Sequence, residues 1–380
     1  MRNGLWYVAV IAAVTGAPAL SAQESGAFVV RLGADTVSLE QYTRTATELR
    51  GEQVLRTPRS VHRIYRAELE PDGSVRTFEL ITHNISGDPG PAETRLTVDF
   101  SGDTAVVRAP QGDSIVTTWV VGVERVAPFV LHIYGLTEQL LRQARARGGD
   151  IVALRTLTPG QPLPWTVVAR RIGTNAYSLM LGPIGPFSVQ LDAFGSLVSL
   201  SGKSSTLKVE VERVPSIDVA GFGPAFGARS LGPLSSRDTA RVALGGAEVW
   251  VDYGRPQKRG RVIFGNVVPW GAVWRTGANA ATQLYTPVAL NVGGVTVPKG
   301  TYSLWTVPSP TGWQLIINKQ HGQWGTVYGA GQDLGRADLQ VVSLAEPVEQ
   351  LTITLETREA GGVLAIAWDQ TRAEVQFAKK

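Results

Sequence analysis

Between Gly254 and Asn279 the chain interleaves cations with aromatic rings. Arg255, Lys258, Arg259, Arg261 and Arg275 alternate with Phe264, Trp270 and Trp274, and the run closes on Trp274-Arg275-Thr276-Gly277-Ala278-Asn279. A guanidinium can fork onto a carboxylate or phosphate. An indole is a large apolar plate with one donor, suited to stacking on a flat ligand. Hydroxyl and amide groups beside a glycine add hydrogen bonds where backbone can come close. The chemistry these residues could do is recognition of a polar or anionic ligand with a flat apolar face, such as a glycan or glycolipid. Trp274 would stack, Arg275 would hold the anion, and Thr276 with Asn279 would hydrogen-bond. Arg255, Trp270, Thr282 and Trp324 extend the candidate site. The structural alternative is that Arg275 pairs with Asp252 or Asp369 and Asn279 ties down a loop, since buried polar groups normally find partners. Lys258 and Arg259 could extend a positive rim, but better suit the solvated tip of a hairpin.

No standard catalytic motif accompanies this run. There is no Gly-x-Ser-x-Gly elbow and no His-Glu-x-x-His segment. Gly329-Ala330-Gly331 and Gly221-Phe222-Gly223 lack the strand-then-helix setting of a nucleotide loop. His62 and His83 could face each other across a hairpin, but two histidines without a paired third ligand make a weak metal claim. No metal or cofactor is expected. A competing reading is a hydrolase or lyase drawing acid–base residues from Asp252, Asp369 and His321, which requires them to converge on one cleft. A third is a structural or protein-docking domain, in which the Trp and Arg residues are buried and satisfied.

The whole chain narrows the setting. It has 380 residues, a formal charge of +4 and no cysteine. That length predicts two domains, and an apolar fraction of 43% suits globular cores rather than disorder. The cations are spread out, with no basic run for nucleic acid or a membrane surface. The absence of cysteine excludes disulfides, thiolate metal sites, a catalytic thiol and cysteine acylation. The N-terminus reads as a secretory signal over residues 1–22: Arg2, the apolar run Leu5 to Val14, then the small-residue exit Ala17-Pro18-Ala19-Leu20-Ser21-Ala22. The run is too short for a membrane span. A soluble bacterial envelope protein in the periplasm or outside the cell is expected, without a stable transmembrane anchor.

Two β-rich regions are expected to position the candidate residues. Residues 27–213 read as an antiparallel sheet with half-barrel character. Its hairpins include Ser60–Leu69 with Val75–His83 across Pro71-Asp72-Gly73. One helix is predicted over Leu136–Arg147, where Leu136, Leu140, Leu141 and Ala144 fall at helical spacing and arginines end the helix. Residues 214–237 read as a Gly/Pro/Ser-rich linker in which Phe222 and Phe226 could dock. Residues 238–380 carry many short strands, among them Arg261–Phe264, Asp338–Ser343, Leu351–Arg358, Val363–Trp368 and Ala373–Phe377, and read as a β-sandwich.

The second region resembles a bacterial family known as domain of unknown function 2911. The resemblance rests on Tyr253-Gly254-Arg255-Pro256, Val268-Pro269-Trp270-Gly271, Val273 to Thr282, Pro298 to Leu304, Asn318-Lys319, Gln323-Trp324-Gly325 and Leu364 to Asp369. It implies export and brings no catalytic residues, because the family has no assigned activity. The first region resembles no family; its pattern is similar to curved half-barrels that carry lipids, which is an analogy of fold alone.

Overall fold

The computed structural model describes residues 23–87, 91–121, 126–158, 164–182, 184–359 and 361–380. The expected signal segment, 1–22, lies outside them. Among the described residues no helix is long and apolar enough to cross a membrane.

Most strands of the first half alternate buried and exposed residues, so they pair into a sheet with one face on a core. Fifteen strands form that sheet. Glu24–Leu32 lies centrally, pairing antiparallel with Asp35–Arg44 on one side and with Glu210–Val214 on the other. From there the chain meanders outward, reaching Ser114–Val121 at one edge and the short Ala127–Pro128, parallel to Ile151–Leu157, at the other. The expected hairpins form, with strands at Val61–Leu69 and Val75–Asn84. Asp35–Arg44 alternates from Ser38 onward, but its buried side carries Ser38, Glu40 and Tyr42 in place of an apolar series, and Glu48–Leu55 ends in three consecutive buried residues.

Helix α1, Tyr134–Arg147, explains the burial of Glu40. Its N-cap residue, Ile133, has no capping side chain. Instead the Glu40 carboxylate accepts from the backbone N–H of Tyr134 at 2.6 Å and of Gly135 at 2.9 Å. A helix N-terminus favours such a negative group. Leu136, Leu140, Leu141 and Ala144 pack into the core that the sheet provides. Glu138 is also buried, accepting from Tyr42 Oη, Leu197 N and Arg213, so the helix is fixed by polar contacts as well as apolar ones.

The segment after the first sheet is not free of structure. Helix α2, Val219–Gly227, starts at Asp218, whose side chain accepts from Gly221 N at 2.8 Å. Gly223 and Gly227 lie against Val54 and Ile85. Arg56 sits over the Phe226 ring, while Phe222 stays exposed.

The second half is a nine-stranded antiparallel sheet folded over a core of Val251, Tyr253, Leu304, Ile317, Leu351, Ile366 and Trp368, among others. Two differences from expectation share one cause. Asp333–Arg358 and Gly361–Lys379 are single long strands, not four short ones. Register shifts near Ser343, Val348 and Thr352 let each pair bend and continue. The expected strand at Arg261–Phe264 is instead a turn region, bracketed by Gly260 and Gly265 at φ 69° and 89°, with a bridge from Phe264 to Val268.

The halves are joined by a clasp. Ala34 N donates to Arg259 O at 3.0 Å, and the buried Arg259 guanidinium pairs with Asp35. Gly33, at φ 62°, comes so close to the Arg259 carbonyl that a Cβ would collide with it.

Candidate functional site

Trp274 to Asn279 is held by its neighbours at almost every atom. Trp274 exchanges two 2.8 Å backbone hydrogen bonds with Thr306. Its indole stacks on Trp368 with centroids 6.0 Å apart, and its Nε1 donates to Gly277 O. Thr276, at φ 55°, is fully buried and its hydroxyl donates to Thr306 Oγ1 at 3.2 Å. Thr282 Oγ1 donates to Thr276 O at 2.9 Å. This bracing aims Arg275. Its stem lies across Gly325, where a Cβ would fall 1.9 Å from Arg275 Cδ, so glycine is required for the guanidinium to take this path.

Arg275 points into a cavity of about 730 Å³ between the two sheets. The second sheet contributes Arg261, Asn279 and Gly325 beside it; the first contributes Arg63, His132, Lys203, Thr206 and Lys208. Half-buried Leu131, Leu207, Leu234 and Val267 add apolar wall. No Asp or Glu occurs among the described residues that line it.

Four polar atoms of the lining are unmatched. Arg275 Nε, Arg63 Nε, His132 Nδ1 and Thr206 Oγ1 are buried without a hydrogen-bond partner. Burial pushes the guanidinium pKa of Arg275 and of Arg63 down to about 10. Burial, then the nearby Arg275 and Arg261, bring the Lys208 ammonium down to about 8. Burial first and Arg63 second bring His132 down to about 4, so its ring is neutral near pH 7. An uncompensated buried polar group is costly. His132, Lys208 and Asn279 are also three of the six described non-glycine residues with positive φ. Such backbone cost concentrates at functional sites.

The candidate residues separate on this geometry. Trp274, Arg275 and Asn279 line the cavity. Thr276 and Thr282 brace Arg275 from behind. Arg255 is committed to Asp238 at 2.9 Å, Leu351 O and Thr352. Trp270 is 42% exposed and stacks on Phe264 outside the cavity lining. Trp324 bridges Ala280 through its backbone and keeps a buried, unpartnered Nε1. The carboxylates named as alternative partners of Arg275 are taken: Asp252 pairs with Arg237, and Asp369 with Lys258 at 2.6 Å. Neither they nor the exposed His321 lines the cavity. His62 and His83 do stack, 5.9 Å apart, each beside a glutamate. No group of three or more His, Asp or Glu able to hold a metal occurs among the described residues. Sequence reasoning missed Arg63, His132, Thr206 and Lys208, which carry no local motif and reach the site only through the fold.

The fold and cavity define a class: a β protein of two antiparallel sheets with a cation-lined chamber between them. Residues 235–377 match the model of a family described as a protein of unknown function, DUF2911, as the motifs suggested. No curated protein matches the chain. Two solved structures align weakly. One is a DUF1089 family protein from Pseudomonas aeruginosa, with 12% identity, a TM-score of 0.35, and coverage of 45% of this chain and 92% of that one. The other is a beta-barrel-like protein of domain of unknown function DUF1849 from Brucella abortus, with 9% identity, a TM-score of 0.33, and coverage of 50% and 94%.

Proposed function

We propose that this protein is a non-enzymatic binding module of the bacterial envelope, and that its ligand is anionic and occupies the cavity between the sheets. One observation carries the reading. Of the ten buried side-chain polar atoms without a partner among the described residues, four, drawn from both halves of the chain, belong to residues lining one cavity without a carboxylate. A negatively charged ligand would satisfy donors and charges together. Trp274, Arg275 and Asn279 are the second sheet's share of the site; Arg63, His132, Thr206 and Lys208 are the first's. Arg255, Thr276 and Thr282 act as braces in this reading.

The experiment is a thermal-unfolding screen of the chain without residues 1–22 against small anions, acidic lipids and neutral glycans, with Arg275→Met alongside. Acidic ligands should raise the wild-type Tm and leave the folded variant unmoved. A Tm raised only by neutral glycans would place recognition elsewhere.

A further inference from the structure

Resting on that reading, we propose that the ligand is an amphiphile with a phosphate-monoester head, held at once by Lys208 and Arg63 of the first sheet and Arg275 of the second. Its apolar part would lie along Leu131, Leu207, Leu234 and Val267.

The unfilled groups select the head. Two guanidinium Nε–H groups can only donate. The Lys208 ammonium is likewise donor-only, and the Thr206 hydroxyl is free to donate. His132 is kept neutral by burial and can present N–H at Nδ1. Three cations that can only donate, beside a hydroxyl and a neutral imidazole that can turn a donor inward, favour a ligand head that accepts and carries negative charge. A phosphate monoester in its dianionic form offers three acceptor oxygens and nearly two charges. A sugar hydroxyl can accept from these donors but is neutral, and leaves the charges of Arg275, Arg63 and Lys208 unmatched. A carboxylate has one charge to set against Lys208, Arg63, Arg261 and Arg275, which meet here with no acidic partner among the described lining residues.

The walls select the rest. Leu131, Leu207 and Leu234 pack against the core of the first sheet, and Val267 against that of the second. They are partly covered by protein and turn their remaining surface to the cavity. A chamber of about 730 Å³ is within the size of sites that enclose a drug-sized ligand, and far larger than an inorganic ion needs. Free phosphate would fill the charges and leave the apolar surface wet; a short-chain lipid phosphate would cover both.

The two-sheet grip follows from the sequence positions of the cations. Lys208 and Arg275 come from different sheets and repel each other in the empty cavity. A dianion between them turns that repulsion into two attractions. Removing either cation should therefore weaken binding to a similar extent.

The test is titration calorimetry of the chain without residues 1–22 with four probes: dihexanoyl phosphatidic acid, inorganic phosphate, octanoate and dihexanoyl phosphatidylcholine. The expected result is phosphatidic acid binding at least tenfold tighter than each of the others. Lys208→Met and Arg275→Met should each lose at least tenfold, with folding verified by circular dichroism and an undiminished Tm. Octanoate binding as tightly as phosphatidic acid would overturn the phosphate head while leaving anion binding intact. Inorganic phosphate binding as tightly would overturn the apolar part. Loss in Arg275→Met but not in Lys208→Met would overturn the two-sheet grip. If none of the anions binds a folded wild-type protein, the anion-binding reading falls with it.

Discussion

Lys208 and Arg275, on different sheets, face one cavity, and the charge of Arg275 adds to burial in loosening the proton on Lys208. The Lys208 pKa of about 8 makes ligand affinity depend on pH. A bound anion favours the charged ammonium, so binding above pH 8 requires proton uptake. Arg275 and Arg261 repel Lys208, Arg63 and His132 line the same cavity, and the Lys203 carbonyl accepts from the ammonium; none of these supplies a negative charge. Affinity for a lipid phosphate should fall above pH 8, approaching tenfold per unit. Below about pH 6 it should also fall, as the phosphate takes up its second proton. Calorimetry from pH 5 to 9, below the range in which Arg275 and Arg63 lose their protons, checks this, and Lys208→Met should abolish the upper limb alone.

Arg275 has a cost in the empty protein. Its Nε is buried and unpaired, and Asp252 and Asp369 are held elsewhere. Arg275→Met keeps most of the stem that packs over Gly325 and removes the charge. The variant should be more stable than wild type by ~1–3 kcal/mol, the usual penalty of an unsatisfied buried group. Urea denaturation measures it, read as a higher midpoint with an unchanged slope. A variant less stable than wild type would mark Arg275 as a structural staple.

How far the sequence speaks for the site depends on which side of the cavity is considered. Trp274-Arg275-Thr276-Gly277-Ala278-Asn279 is a contiguous signature, and its glycine, cation and indole each carry chemistry that can be read locally. The opposing wall has no such signature. Lys208 and Thr206 lie in a turn between two strands, Arg63 reads as one of many exposed strand arginines, and His132 precedes a helix. Only the packing of the open first sheet against α1, and of the second half against that sheet, brings them together. The first helix and the central hairpins were legible because spacing and turn residues set them. The strand Asp35–Arg44 was not, because its buried Glu40 is a cap for a helix far along the chain. The long strand Asp333–Arg358 was hidden by an exposed stretch around Glu346-Pro347 that suggests a loop until the bulges are seen.

Gly325 gives a second handle on Arg275. A Cβ at this position would meet Arg275 Cδ at 1.9 Å and the Asn279 carbonyl at 2.3 Å. The first contact displaces a side chain, but the second is with backbone and cannot be relieved cheaply. Gly325→Ala should lower stability by ~1–3 kcal/mol, in the range for overpacking. It should weaken anion binding as well. Unlike Arg275→Met it loses stability and binding together, so denaturation and calorimetry on the two variants separate the packing of the guanidinium from its charge.

The clasp between the halves should be fragile to single substitutions. Arg259 is 5% exposed in its side chain and pairs with Asp35. Asp35→Ala leaves that guanidinium buried without its carboxylate. Breaking such a pair typically costs 3–5 kcal/mol, and Asp35 is one-third exposed, so solvent screening reduces the expected loss to about 1–3 kcal/mol. Limited proteolysis between residues 228 and 236 should accelerate if the halves separate. The double variant Asp35→Ala/Arg259→Met should recover part of the lost stability.

Two buried groups set opposing responses to acid. His132 has its pKa lowered from 6.5 to about 4. Its contribution is present above pH 6.5 and lost as pH falls toward 4, because the unfolded chain binds a proton that the folded one refuses. Glu40 has its pKa raised from 4.5 to about 7, mainly by burial. Its contribution is present below pH 4.5 and lost as pH rises through 7, because the folded chain binds the proton more tightly. Each is worth on the order of 3 kcal/mol over its full window, and the windows overlap with opposite sign. Among these two groups, wild-type stability should therefore change little between pH 7 and 4.5. His132→Asn, which tolerates φ 70°, leaves Glu40 unopposed and should become more stable on acidification. Glu40→Gln leaves His132 unopposed and should become less stable. Urea midpoints at pH 7.5, 6.0 and 4.5 for the three proteins check the signs, and parallel profiles would show that neither group holds the proton state assigned to it.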